Sequence, residues 1–300
     1  YTVAATNTAT SCVMNMSGST TVTVGPVPTV YSVTGGGGYC SGGSGIAVGI
    51  ANSDIGVSYQ LYNGASAVGS VVAGTGSAMS FGAQTATGTY SVVANPGSSC
   101  ATNMSGTTSV FINGLPTVYN VTGGGGYCSG GSGTHIGLDW SNTGTNYQLY
   151  IGSTAVGSPL AGVGGAIDFG LVTTPGTYTV QATIASTGCN NNMAGSTAVS
   201  INPLPTAFSV TGGGNYCSGG TGVTVGLGGS VTGINYQLYN GTTAVGSPVA
   251  GSGSAISFGL QTSAGAYTVR ATNATTSCVN GMTGAVAVAV NSLPVVFTVT

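Results

Sequence analysis

An all-β fold is predicted by three observations: apolar residues fall on alternate positions, turn clusters separate them at short intervals, and good helix formers are scarce. In residues 28–115 the strands are expected near Val30–Val33, Ile46–Ile50, Ser58–Tyr62, Ala67–Val72, Met79–Phe81, Thr89–Ala94 and Thr108–Ile112. Ile46, Val48 and Ile50 alternate with Ala47 and Gly49, and Tyr59 and Leu61 alternate with Gln60 and Tyr62. Period two with β-branched and aromatic enrichment is the mark of a half-buried strand. Asn63-Gly64, Gly74-Thr75-Gly76, Thr87-Gly88 and the run Gly35 to Gly38 read as turns.

The pattern recurs. Cys12, Cys100, Cys189 and Cys278 are spaced 88, 89 and 89 residues apart, and Cys40, Cys128 and Cys217 keep the same step. Tyr1, Tyr90, Tyr178 and Tyr267 follow it too, as does Tyr-Gln-Leu-Tyr at 59–62, 147–150 and 236–239. A unit of about 88 residues is long enough to bury its own small core, so the chain is read as a row of domains rather than a solenoid. The expected division is 1–27 (the end of one repeat), 28–115, 116–204, 205–293, and 294–300 (the start of another). The 300 residues are read as part of a longer protein.

Seven strands in such a unit is the number found in an immunoglobulin-like β-sandwich. Gly88-Thr89-Tyr90-Ser91-Val92 resembles the entry to strand F, where a tyrosine anchors a corner on nearby backbone. The antibody features are missing: Leu61, Leu149 or Leu238 stands where a buried Trp would be, and no Cys pair falls in mid-strand. The expected core comprises Tyr59, Leu61 and Tyr90, then Tyr147, Leu149 and Tyr178, then Tyr236, Leu238 and Tyr267.

Read as text, each repeat runs Tyr-Gln-Leu-Tyr, Ala-Val-Gly-Ser, Gly-Ser-Ala-x-Ser-Phe-Gly and Gly-Thr-Tyr-Thr-Val-x-Ala-Thr-Asn, closing on Leu-Pro. This resembles the tandem immunoglobulin-like repeats of giant Bacteroidota surface proteins, including adhesins of the SprB gliding type. The resemblance implies export, through the type IX route, and display as a cell-surface fibre or adhesin stalk.

Linkers fall at matching places: Pro26-Val27-Pro28, Leu115-Pro116, Pro203-Leu204-Pro205 and Leu293-Pro294. Proline removes backbone freedom at each joint, and a stiff rod is expected. Composition narrows the partners. The chain contains one Arg or Lys (Arg270), three acidic residues (Asp54, Asp139, Asp168) and one His (His135), for a formal charge of −2. Such a surface has no basic patch for nucleic acid, and no apolar run is long enough to cross a membrane. Weak charge repulsion leaves neighbouring copies free to pack side by side, so copies of the same protein or repeat are the expected partners.

Catalysis requires groups that converge, and the reactive side chains neither recur nor gather in sequence. His135 aligns with Ala47 and Thr224, Asp139 with Ala51 and Gly228, Asp168 with Ser80 and Ser257, and Arg270 with Val93 and Gln181. No enzymatic role, no cofactor and no metal site is expected. The one local cluster is His135, Asp139 and Trp140, read as divergent strand residues. Tyr62, Tyr150 and Tyr239 are read as a cross-strand structural stripe. Glycan binding by the repeats, or service as spacer of a secreted enzyme, is the alternative to a fibre.

Cysteine is left as the cross-linking group. Pairing within a repeat would join Cys40 to Cys100, Cys128 to Cys189 and Cys217 to Cys278. If the topology is immunoglobulin-like, however, Cys40 and Cys100 lie at opposite poles, about 20 Å apart, whereas a disulfide needs Cα atoms roughly 4.4–6.8 Å apart. The expectation is therefore bridges between repeats, Cys40 to Cys189 and Cys128 to Cys278. Cys12, Cys100 and Cys217 would then pair beyond these residues. Such bonds suit an extracellular protein in an oxidising setting.

Overall fold

The computed structural model describes residues 1–22, 24–25 and 27–297. Pro26 of the first linker and residues 298–300 of the closing segment lie outside the described residues. Among the described residues every regular element is a strand. They divide into two compact units, Tyr1–Leu115 with Ile184–Cys189, and Pro116–Thr183 with Asn190–Thr300.

The first unit opens with a hairpin of β1 (Ala4–Thr6) and β2 (Val13–Asn15). Nine strands follow: β3 (Val33–Gly35), β4 (Gly37–Cys40), β5 (Ile46–Ile50), β6 (Ser58–Asn63), β7 (Ser66–Ala73), β8 (Met79–Gln84), β9 (Gly88–Ala94), β10 (Thr102–Asn103) and β11 (Thr108–Asn113). They form one sheet in the order β3-β5-β8 and another in the order β4-β11-β9-β6-β7, with β10 added beside β9. Val48 and Ile50 from the first sheet meet Tyr59, Leu61, Tyr90, Val92 and Val110 from the second in one buried cluster. This is an immunoglobulin-like sandwich: two sheets closed over a core by strand alternation.

The second unit carries the same arrangement twice. One set is β12 (Val121–Gly123), β13 (Gly125–Cys128), β14 (Thr134–Leu138), β15 (Thr145–Ile151), β16 (Thr154–Ala161), β17 (Ile167–Val172), β18 (Gly176–Ile184), β19 (Asn190–Asn192) and β20 (Thr197–Asn202). The other is β21 (Val210–Gly212), β22 (Gly214–Cys217), β23 (Val223–Leu227), β24 (Ile234–Asn240), β25 (Thr243–Ala250), β26 (Ile256–Gln261), β27 (Gly265–Asn273), β28 (Val279–Gly281) and β29 (Val286–Asn291). Each set has its own core, built on Tyr147, Leu149 and Tyr178 or on Tyr236, Leu238 and Tyr267.

The glycine run departs from the expected turn. Gly35 ends β3 in one sheet, and Gly37 begins β4, which pairs parallel to β11 in the other, so the run is a strand that changes sheets. Only glycine fits the crossing. Gly35, Gly36 and Gly37 have φ of 80°, 73° and 114°, and a Cβ on Gly35 would meet the Ala47 carbonyl oxygen at 2.1 Å. The first strand lies at Val33–Gly35 and not at Val30–Val33: before it, Ser32 makes only an isolated parallel bridge to Ser105. Tyr31, in the segment before it, is tied down by contacts of its own: its N–H reaches the Met104 sulfur at 3.4 Å and its hydroxyl donates to Asp54 at 2.6 Å.

The tetrapeptide Tyr-Gln-Leu-Tyr has a separate reason at each place. Tyr59 is fully buried, and its hydroxyl accepts the Asp54 N–H at 2.9 Å; Tyr147 and Tyr236 do the same for Asn142 and Val231. Gln60 fills a bulge between β6 and β7, its Nε2 donating to the carbonyls of Leu61 and Val68 at 2.9 and 2.8 Å. Buried amides without such partners would be destabilising. Leu61 completes the core, and Tyr62 is the one of the four that is only partly buried and faces outward.

Candidate functional site

The cysteine bridges stand where one strand set hands over to the next, and the second unit shows the local construction. Cys128 ends β13 opposite Asn202, the last residue of β20, and the next N–H, of Ser129, donates to the Asn202 carbonyl at 2.9 Å. Cys128 is thereby held beside the exit of its own sandwich. Cys278 sits in the tight loop between β27 and β28, where Asn273 Oδ1 accepts the N–H groups of Thr275 and Thr276 at 2.9 and 3.1 Å. Two residues on, Asn280 Nδ2 donates to the Pro205 carbonyl at 2.7 Å. Cys128 thus lies by the first residue of Asn202-Pro203-Leu204-Pro205 and Cys278 two residues before the Asn280 contact with its last, and Cys128 is bonded to Cys278 with Cα atoms 5.5 Å apart.

Cys40 is bonded to Cys189, again with Cα atoms 5.5 Å apart. Cys40 faces Asn113 in the same register as Cys128 faces Asn202, and Asn191, two residues past Cys189, donates to the Pro116 carbonyl at 3.2 Å. Cys12, Cys100 and Cys217 are free thiols, and Cys217 faces Asn291 in that same ladder position. The sequence positions of the core behave alike: Tyr59, Leu61, Tyr90, Tyr147, Leu149, Tyr178, Tyr236, Leu238 and Tyr267 are each at most 1% exposed. Tyr90, Tyr178 and Tyr267 donate their hydroxyls to the carbonyls of Ala86, Thr174 and Ser263 at 2.7, 2.7 and 2.8 Å, four residues upstream in every case. Burial pushes the Tyr178 hydroxyl above its ordinary pKa.

Two of the few reactive groups meet, contrary to the expectation that none do. His135 Nδ1 lies 2.7 Å from Asp168 Oδ2 across β14 and β17, both side chains largely exposed. Asp168 pairs with Gly137, two residues along β14 from His135 and on the same face, across a bulge in the register. The cluster His135, Asp139 and Trp140 is not a unit. Asp139 is engaged by Asn120, whose side chain and backbone N–H donate at 2.7 and 2.9 Å and hold the carboxyl below its ordinary pKa. Trp140 is half exposed. Asp54 is likewise held low, first by the Tyr31 hydroxyl and then by the Thr29 N–H, and Tyr31 is pushed up in return.

The outward tyrosines form no stripe. The cross-strand neighbours of Tyr62 are Ala67 and Ser91, those of Tyr239 are Ala244 and Thr268, and Tyr150 faces Ala155. Two of them border open hollows instead. Tyr150 does so with Ser153, Thr179, Gln181, Asn192 and Met193, around about 350 Å³. Tyr239 does so with Thr242, Thr268, Arg270, Gly281 and Met282, around about 370 Å³.

One recurrent group escaped the sequence reading. Met104, Met193 and Met282 are nearly buried, and their sulfurs accept the N–H groups of Tyr31, Tyr119 and Phe208 at 3.4 Å each. Their spacing of 89 residues was the available signal.

No protein-family model matches the chain, and no curated protein does. Solved structures similar to it include a calcium-stabilized adhesin with which an Antarctic bacterium reaches out and binds ice. That match has 15% identity over 89% of this chain and 75% of the other, with a TM-score of 0.42. Three N-terminal domains of the bacteriophage RB49 highly immunogenic outer capsid protein match at 13% identity over 89% and 99%, with a TM-score of 0.34. Immunoglobulin domains 1–4 of Sidekick-1 match at 10% identity over 90% and 73%, with a TM-score of 0.23. Likeness at this level says nothing of ligand or partner.

Proposed function

We propose that this chain is a structural stretch of an extracellular surface fibre or adhesin stalk, of the kind its repeats resemble in Bacteroidota surface proteins, and that it performs no catalysis. The observation that carries this reading is where recurrence falls: on core tyrosines and leucines, sheet-crossing glycines, proline linkers and bridging cysteines. Every one of these positions builds or joins a sandwich. Disulfides persist in oxidising compartments, which supports an extracellular location.

The bridges also suggest a role for the remaining thiols. Cys217 stands where Cys40 and Cys128 stand, and Cys12 and Cys100 align with Cys189 and Cys278. In this reading each free thiol is half of a further bridge of the same kind, to an adjoining repeat or to a neighbouring copy. A surface almost without charge favours such packing.

Immunogold labelling of intact cells with antibody to this chain tests the location: gold on external fibres is expected, and label only in permeabilised cells would overturn the reading. Reduction tests the joint. Because each strand set has its own core, treatment with a phosphine reductant should leave the thermal transition nearly in place while widening the distance distribution between labels on residues 153 and 242. An unchanged distribution would deny the bridges a mechanical role.

A further inference from the structure

We propose that the hollow beside Tyr150 is a binding site for a neutral saccharide, an activity separate from the structural role above. Its volume of about 350 Å³ lies at the small end of ligand pockets, which begin near 300 Å³ and suit one or two sugar rings. Tyr150 stands at the end of β15 with its ring partly exposed. Thr179 and Gln181 come from β18, and Asn192 from β19.

The polar groups converge. Gln181 and Asn192 are direct cross-strand partners, and Gln181 Nε2 donates to Asn192 Oδ1 at 3.4 Å. That bond leaves the Gln181 carbonyl free to accept and the Asn192 amide free to donate. The hydroxyls of Ser153 and Thr179 add two groups able to donate or accept. An aromatic face bordered by amides and hydroxyls, with no formal charge, matches a pyranose: its apolar C–H face lies on the ring while its hydroxyls find both donors and acceptors. Ionic ligands lack a counter-charge here, and a purely apolar ligand would strand four polar side chains.

The equivalent place in the third strand set supplies an internal contrast. There the cross-strand pair is Arg270 and Gly281, and the guanidinium lies over the Tyr239 ring at 5.4 Å from its centroid. The cation occupies the aromatic face, and the amide partner is missing. In the first set the pair is Val93 and Asn103. The inference is therefore confined to Tyr150.

Saturation-transfer NMR on the intact chain with cellotetraose, mannotetraose, xylotetraose and chitotetraose at millimolar concentration tests the site. At least one is expected to receive magnetisation. The double variant Gln181→Val with Asn192→Gly uses residues that other repeats carry at these positions, so the fold should tolerate it, and it should weaken that binding at least tenfold. Tyr150→Ala should do the same, with circular dichroism confirming that the sandwich is retained. Absence of transfer to all four probes would overturn the proposal, as would binding unchanged in the folded double variant.

Discussion

Tyr147 and Leu149 in the second strand set and Tyr236 and Leu238 in the third are equally buried, and the same hydroxyl-to-backbone bond closes over each tyrosine. One strand face away, the two sets part company: Gln181 opposite Asn192 in one, Arg270 opposite Gly281 in the other. The interior varies within narrower limits, as where Thr145 stands at the place of Ile234 and Ile136 at that of Val225, because core positions are packed at high density. The outer face is constrained only by strand pairing, so it is where repeats can differ without loss of fold. Repetition here marks structure, and divergence marks what is left over for recognition.

The strongest way to break this comparison is to cut the two cores alike. Leu149→Ala and Leu238→Ala should each destabilise their own sandwich by about 2–5 kcal/mol, measured by denaturant titration. A large loss in one and none in the other would end the equivalence. Next in size, Tyr147→Phe and Tyr236→Phe each remove the acceptor for a backbone N–H and should cost roughly 1–3 kcal/mol. An exchange on the outer face sharpens the contrast: Arg270→Gln with Gly281→Asn gives the third set the groups of the second. Saccharide stoichiometry should then rise from one to two per chain in a calorimetric titration, and a stoichiometry still at one would mean that Gln and Asn are not sufficient.

The smallest effect concerns pH. Asp54 and Asp139 are held below the ordinary carboxylate value of 3.8, so the stability they contribute is complete above it and is lost as pH falls below. Tyr31 and Tyr178 are raised above 10.0, so their contribution is complete below that value and is lost as pH rises past it. Melting temperature should therefore be nearly flat from about pH 4 to pH 9. A cooperative acid transition inside that interval would contradict this expectation.

Strands such as Ile46–Ile50 and Gly88–Ala94 were legible because burial imposes alternation, and alternation survives in the sequence. The crossing at Gly35–Gly37 was not, because glycine has no side chain to show a period, and β10 has only two residues. The cysteine arithmetic was readable once an immunoglobulin-like topology was assumed, since topology fixes which loops share a pole. His135 and Asp168 meet across two paired strands, β14 and β17, and which residues face one another there is not marked in sequence spacing. The Tyr150 hollow depends on which outward residues face one another across three strands, and that needs register, not periodicity.

The two bridges enclose overlapping lengths of chain, 40–189 and 128–278. A single peptide-bond scission anywhere from 40 to 278 is therefore spanned by at least one covalent path, and between 128 and 189 by both. A protease that nicks one exposed loop within that span leaves the two fragments tethered until the sulfurs are reduced. From residue 40 to residue 278, continuity thus rests on two independent kinds of bond, and parting the chain there takes an attack on both.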